Sequence, residues 1–282
     1  MKKKTVIITT IAACATALIG IGVKEFVKFY KPAPYTVACV SDIMESETKM
    51  VAHRGFRAVA PENTLPAFEE AGKAGFWGNE CDVYRTADGV WVIHHDFVTF
   101  RMMNATKDIE KTTYEELMKL NTNNGINIDK YENLKICSVE DYLAICEKFR
   151  MNAFIELKSK NNTEYYPELL ELIHKYDVDY TFISFQIDNL RIMRELDKDV
   201  PLFLIVDDIT DESIELAKSV DNCGIDFGVD EKANFKNDCE MIDKCAAAGL
   251  PLGSWSVDTP EQMKTLVKHG VTYITTDCLT AY

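Results

Sequence analysis

Residues 151–184, MNAFIELKSKNNTEYYPELLELIHKYDVDYTFIS, hold a strand, a helical pattern and a second strand in succession. Ala153–Leu157 is a short apolar run, a helical pattern follows and takes in His174, and Thr181–Ser184 is apolar again. The alternation extends in both directions. Further strand-like runs lie at Met50–His53, Glu80–Tyr84, Trp91–His94, Leu202–Val206, Gly224–Gly228, Leu252–Ser256 and Thr272–Thr275. Such alternation implies parallel strands joined by crossover helices. The stretch from Ser46 to Tyr282 has the length of a (β/α)8 barrel, typically about 250 residues. The expected fold is therefore α/β, a TIM-type barrel. Nine candidates compete for eight places, so at least one is misread or stands outside the ring.

Local signals agree with this reading. Ser138 opens SVED, a helix start with Val139, Tyr142, Leu143 and Cys146 on one face. Thr259-Pro260-Glu261-Gln262 is another start, and Gly270 stands where that helix needs a left-handed residue. Asp88-Gly89 joins two strand-like runs as a hairpin, which makes those neighbours antiparallel. Asp96–Ile136 lacks clean alternation and is expected to be a small insertion over one barrel mouth, after the third strand. Within it Thr112–Leu120 reads as a short helix.

Hydrophobic content of 47% and charged content of 27% are those of a globular protein. The net charge of −14 excludes broad binding to a phosphate backbone, so no nucleic-acid partner is expected. A phosphate-bearing substrate would be small and held by a few local cations. None of the nine cysteines has CxxC spacing, which leaves neither a zinc ribbon nor a thioredoxin-like pair. Basic residues Lys2–Lys4 precede the uncharged run Thr5–Val23, long enough to span a membrane. Residues 1–23 are expected to form one transmembrane or signal-anchor helix and 24–45 a linker containing Lys31-Pro32-Ala33-Pro34. The barrel, 46–282, would then lie outside the cytoplasm, tethered to the membrane.

Polar residues planted in the strand-like runs carry the chemistry. Glu80 and Asp82, two apart on a strand, point to one face, and Glu156 with Lys158 repeats the arrangement. Clustered buried carboxylates repel unless a cation joins them. Three oxygen ligands suit Mg²⁺ or Ca²⁺, while an internal salt bridge with Lys158 accounts for the same residues. His53 and His94-His95 end strands at the expected catalytic mouth, where two imidazoles can serve as general acid and base. Arg54 offers paired donors to a phosphate or a carboxylate.

The blocks VAHRGFRAVAPENTLPAFEEA, NECDVYRTADGVWVIHHD, FIELKSK, FISFQ, GSWSVD and YITTD, spread from Val51 to Asp277, resemble the ordered motifs of the glycerophosphodiester phosphodiesterase family. The resemblance implies a TIM-type barrel that hydrolyses glycerophosphodiesters to glycerol 3-phosphate and an alcohol with a divalent cation. It implies His53 and His95 as the catalytic pair and Glu80, Asp82 and Glu156 as metal ligands. Arg54 and Lys158 would contact phosphate, and Trp255 would lie near the substrate. His94 falls where the family usually has an apolar residue. Glu62, in the PENT block, is a secondary candidate that could approach the metal, with Asn63 or Thr64 capping the helix that follows. The vicinal glycerol hydroxyl would be the first nucleophile. Two further readings stand beside this one: a lysophospholipase D-like activity on membrane lipids, and a non-catalytic module binding teichoic-acid-like polymers. No protein partner is implied.

Overall fold

The computed structural model describes residues 34–229 and 235–282. Eight parallel strands close into a ring: β2 (Lys49–Ala52), β3 (Gly78–Arg85), β6 (Asn152–Leu157), β7 (Tyr180–Ser184), β8 (Leu202–Val206), β9 (Cys223–Gly228), β10 (Leu252–Trp255) and β11 (Tyr273–Thr276). The ring closes through β11 and β2, with Thr276 opposite Ala52. Helices α1 (Leu65–Lys73), α3 (Val139–Phe149), α4 (Tyr166–Ile173), α5 (Ile187–Leu196), α6 (Asp211–Lys218), α7 (Phe235–Ala247) and α8 (Pro260–Lys268) alternate with the strands, and the short α2 (Tyr114–Leu117) lies in the insertion. Helix starts follow the sequence signals. The Ser138 hydroxyl accepts from the Asp141 amide to begin α3. Thr259 and Gln262 form a reciprocal capping box at α8, and Gly270 follows it with φ +87°.

The ninth strand candidate is real but is not a stave. β4 (Trp91–Ile93) runs antiparallel to β3, and β5 (Cys137–Ser138) runs antiparallel to β4. The insertion thus follows the second barrel strand, not the third as the sequence suggested. The reason is the Asp88-Gly89 turn: Thr86 and Val90 pair across it and Gly89 sits at φ +93°. β3 is long, so its end, Val83–Arg85, overshoots the mouth and pairs with β4. β4 then leads back toward the mouth, where the His94 amide bonds the Asp82 carbonyl. The insertion closes over its own apolar cluster of Tyr84, Val92, Met102, Met103, Ile109, Leu117 and Ile136.

Inside the ring Val51, Phe154, Ile183, Phe203 and Ile205 pack with Trp77, Trp255 and Tyr273. Full burial of a ring such as Phe154 or Phe203 contributes about 2 kcal/mol. The larger apolar layer lies between strands and helices and contains the buried thiols Cys81, Cys137, Cys146, Cys223, Cys245 and Cys278. The linker reading for 24–45 gives way from Pro34 onward. That residue already belongs to the barrel's compact unit, and β1 (Ala38–Cys39) pairs with β12 (Leu279–Thr280). The run Thr5–Val23 lies outside the described residues, and none of the described helices is long and apolar enough to cross a membrane.

Gly89→Val forces a branched side chain into a positive-φ turn and is expected to cost on the order of 1–2 kcal/mol. Denaturant unfolding checks this, and an unchanged midpoint would show that the turn does not depend on glycine.

Candidate active site

Parallel registration of β3 with β6 sets Asp82 directly opposite Glu156, and Glu80 sits one inward position below Asp82. All three are buried, and one oxygen from each lies within 4.8 Å of the others. Burial, then Asp82 and Glu156, push the Glu80 carboxyl well above the usual range. Burial and Asp82 raise Glu156 to about 8. Burial opposes ionisation of Asp82 too, but Lys158, His95 and Arg54 outweigh it and hold that carboxyl well below the usual value. The cluster is short of positive charge.

Lys158 Nζ lies 3.2 Å from Asp82 and 2.9 Å from Glu156. The Arg54 amide donates to Glu80 at 2.7 Å, and its Nε lies 3.6 Å from Asp82. The internal salt bridge expected from the sequence is therefore present, yet it leaves Glu80 and Glu156 undercompensated. An all-oxygen donor set of this span fits a hard divalent cation.

Glu62 does not join that group. Arg54 Nη1 and Arg57 Nη2 each lie 3.0 Å from it and Arg101 Nη2 lies 2.6 Å away. Burial opposes its charge, but Arg54, Arg57 and Arg101 together keep Glu62 well below the usual carboxylate range. Its neighbours do not cap α1 with their side chains either. Asn63, at φ +54°, donates its amide to Asp82 at 2.7 Å, and the Thr64 hydroxyl bonds back to the Pro61 carbonyl. The PENT block thus orients Arg54 and Asp82.

His53 and His95 each have a carboxylate on Nδ1. His53 lies 2.7 Å from Asp277, whose other oxygen accepts from the Tyr35 hydroxyl at 2.8 Å. Ser256 Oγ is 3.2 Å from the same nitrogen. Burial, with Arg54, lowers the His53 pKa against the opposing pull of Asp277. His95 lies 2.7 Å from Asp96, which Arg101 Nε holds from the other side at 2.7 Å. With the Nδ1 proton engaged, Nε2 of each ring is free for proton transfer. His94 faces elsewhere: its Nδ1 meets the Asp96 carbonyl, and it lines a separate gap with Met102, Met103 and Thr122.

His53, Arg54, Glu80, His95, Glu156 and Trp255 line one open cavity of about 420 Å³ with Ile183, Phe185, Ile205, Asp226 and Thr275. The Phe185 and Trp255 rings meet edge to face at 5.9 Å. Lys158 reaches the same site through its carboxylate partners. The sequence reading did not single out Asp277, Asp96, Arg57 or Arg101. The first two carried a signal, as carboxylates at the ends of the YITTD and HHD blocks. The arginines carried none.

Fold and site together define a (β/α)8-barrel hydrolase of phosphate esters. Residues 53–280 match the Glycerophosphoryl diester phosphodiesterase family, and the chain belongs to it. A "Glycerophosphodiester phosphodiesterase" of Caldanaerobacter subterraneus is 28% identical, over 82% of this chain and 94% of that protein. Another of the same name from Bacillus altitudinis is 26% identical, over 82% of this chain and 94% of that one. A solved Oleispira antarctica phosphodiesterase, in complex with the product sn-glycerol-3-phosphate, aligns with TM-score 0.73 at 23% identity, over 81% of this chain and 92% of that one.

The carboxylates give a linkage test. Glu156 is raised from 4.5 to about 8, so the folded metal-free protein holds a proton that the unfolded chain releases, and stability falls as pH rises through that window. A divalent cation bound by the cluster would displace that proton. The thermal stabilisation given by Mg²⁺ or Ca²⁺ is therefore expected to grow from about pH 5 to pH 8. Melting curves with cation and with EDTA measure it, and a gain independent of pH would contradict the assignment.

Proposed function

We propose that this chain hydrolyses glycerophosphodiesters to glycerol 3-phosphate and an alcohol, with a divalent cation held by Glu80, Asp82 and Glu156. The observation that carries the reading is the opening of two carboxylate-backed imidazoles, His53 and His95, onto the cavity that Glu80 and Glu156 of the acidic cluster also line. When bound, the cation would supply Lewis acidity and help to orient the vicinal glycerol hydroxyl beside the phosphate.

The side chains divide the remaining work. Arg54 and Lys158 neutralise the phosphate as charge builds on its oxygens. One imidazole Nε2 accepts the proton of the vicinal glycerol hydroxyl as that oxygen attacks phosphorus. The other protonates the alkoxide of the departing alcohol. The P–O bond to the alcohol breaks and a cyclic phosphate forms. In the second half the roles reverse: water, deprotonated by one ring, opens the cycle while the other returns a proton to the glycerol oxygen. Asp277 and Asp96 keep the rings in one tautomer and stabilise each imidazolium as it forms. Trp255 and Phe185 cover the glycerol carbons and exclude bulk water.

The anchor assigned to residues 1–23 would hold this barrel at a membrane surface outside the cytoplasm; the basic start and uncharged run support it.

The test is release of glycerol 3-phosphate from glycerophosphocholine and glycerophosphoethanolamine by the full chain with Mg²⁺ or Ca²⁺. No turnover of either would sink the proposal. Within it, His95→Ala is expected to reduce kcat by roughly 10²- to 10⁴-fold. His94→Ala, whose ring faces away from the cavity, should retain activity within a few-fold. Equal losses with folding intact would reverse the assignment.

A further inference from the structure

Asp226 stands on β9 inside the barrel, 2% exposed, and its Oδ1 has no hydrogen-bond partner. Thr275, on β11, is likewise 2% exposed, and its hydroxyl is also without a partner. Both line the cavity that contains Glu80 and Glu156. On β10, the strand between theirs, Gly253 pairs in register with Asp226 on one side and with Tyr273, one inward position before Thr275, on the other. A Cβ there would lie 2.7 Å from Asp226 Oδ1, so the glycine is what makes room for the carboxyl. The neighbouring wall is apolar, formed by Ile183, Ile205 and Trp255.

Buried polar groups without partners are rare and costly, and two on one cavity wall call for a ligand. Burial alone raises the Asp226 carboxyl, to about 8, with no cation contributing. A protonated carboxyl and a hydroxyl each carry both a donor and an acceptor, and so suit a group that needs both. An alcohol hydroxyl needs both, whereas an ammonium has donors only.

We propose that Asp226 and Thr275 bind the terminal glycerol hydroxyl remote from the phosphate, and so select substrates in which that hydroxyl is free. The inference rests on the phosphodiesterase reading and narrows it. With the phosphate end held by Arg54 and Lys158, the far end of a three-carbon polyol turns toward the β9–β11 wall. An acyl group on that oxygen removes its donor hydrogen and brings an alkyl chain against a wall that ends in a carboxyl. Lysophospholipids acylated on that oxygen would therefore be poor substrates.

The test compares glycerophosphocholine with an analogue in which only the terminal CH₂OH is replaced by CH₃. A site that hydrogen-bonds a substrate hydroxyl rejects the analogue lacking it, here by an expected factor on the order of 10² or more in kcat/KM. Asp226→Ala and the near-isosteric Thr275→Val are each expected to lose about tenfold or more on glycerophosphocholine and far less on the analogue, so that the preference collapses. Asp226→Ala should also melt higher than the wild type, because it removes an unpaired buried carboxyl. Equal losses on both substrates, or a wild type that handles them alike, overturn the inference. Calorimetric binding of glycerol 3-phosphate and its terminal-deoxy analogue separates the two proposals. A wild-type preference that the variants lose supports this subsite even without turnover; equal affinities reject it even if turnover is confirmed.

Discussion

Three carboxylates share one small volume at the mouth of the barrel, and their repulsion organises the surroundings. Glu80, Asp82 and Glu156 come from two adjacent strands whose parallel register gives them no route apart. Removing them from water would be prohibitive without compensating charge. Lys158 therefore bridges two of them, the Arg54 amide and guanidinium meet Glu80 and Asp82, and Asn63 donates to Asp82. Even so, Glu80 and Glu156 remain biased toward the protonated form. A divalent cation held there would complete the balance and turn a destabilised cluster into a working one.

The cationic groups are held by carboxylates of their own. Glu62 gathers Arg54, Arg57 and Arg101; Arg101 then grips Asp96, which orients His95, while Arg57 reaches Asp277 behind His53. A single buried carboxylate thus couples both histidines and Arg54 across three separate segments of chain. Removing one member of such a network leaves charges unpaired, so its effects will not add. The β3–β4 hairpin belongs to the same logic. It brings a histidine back from beyond the barrel's edge to the side of Asp82, which no crossover helix could do over so short a connection.

The barrel was legible in the sequence because apolar strands and amphipathic helices alternate with little interruption, and each strand run was found within a residue or two. One inference failed on topology. Trp91–Ile93 has the composition of a buried strand, and composition does not distinguish a stave from the returning arm of a hairpin, although Asp88-Gly89 already implied the antiparallel pairing. That Glu80, Asp82, Glu156, His53, His95, Arg54, Lys158 and Trp255 would meet in one place was legible from their motif blocks. The arginines around Glu62 could not, because nothing local distinguishes a buried Arg101 in an irregular insertion from a surface one. Asp226 was invisible for a different reason. An acidic residue within Gly224–Gly228 looks like a solvated strand position until Gly253 on the next strand is seen to make room for it.

The claim on which the account turns is that the Glu80–Asp82–Glu156 cluster works only with a divalent cation. Turnover of glycerophosphocholine by the full chain, stripped with EDTA and then titrated with Mg²⁺ or Ca²⁺, tests it directly. The account predicts no turnover in EDTA, recovery on titration, and for Asp82→Asn a recovery that needs much more cation. An undiminished rate in EDTA would mean that the carboxylates form a structural salt bridge and nothing more.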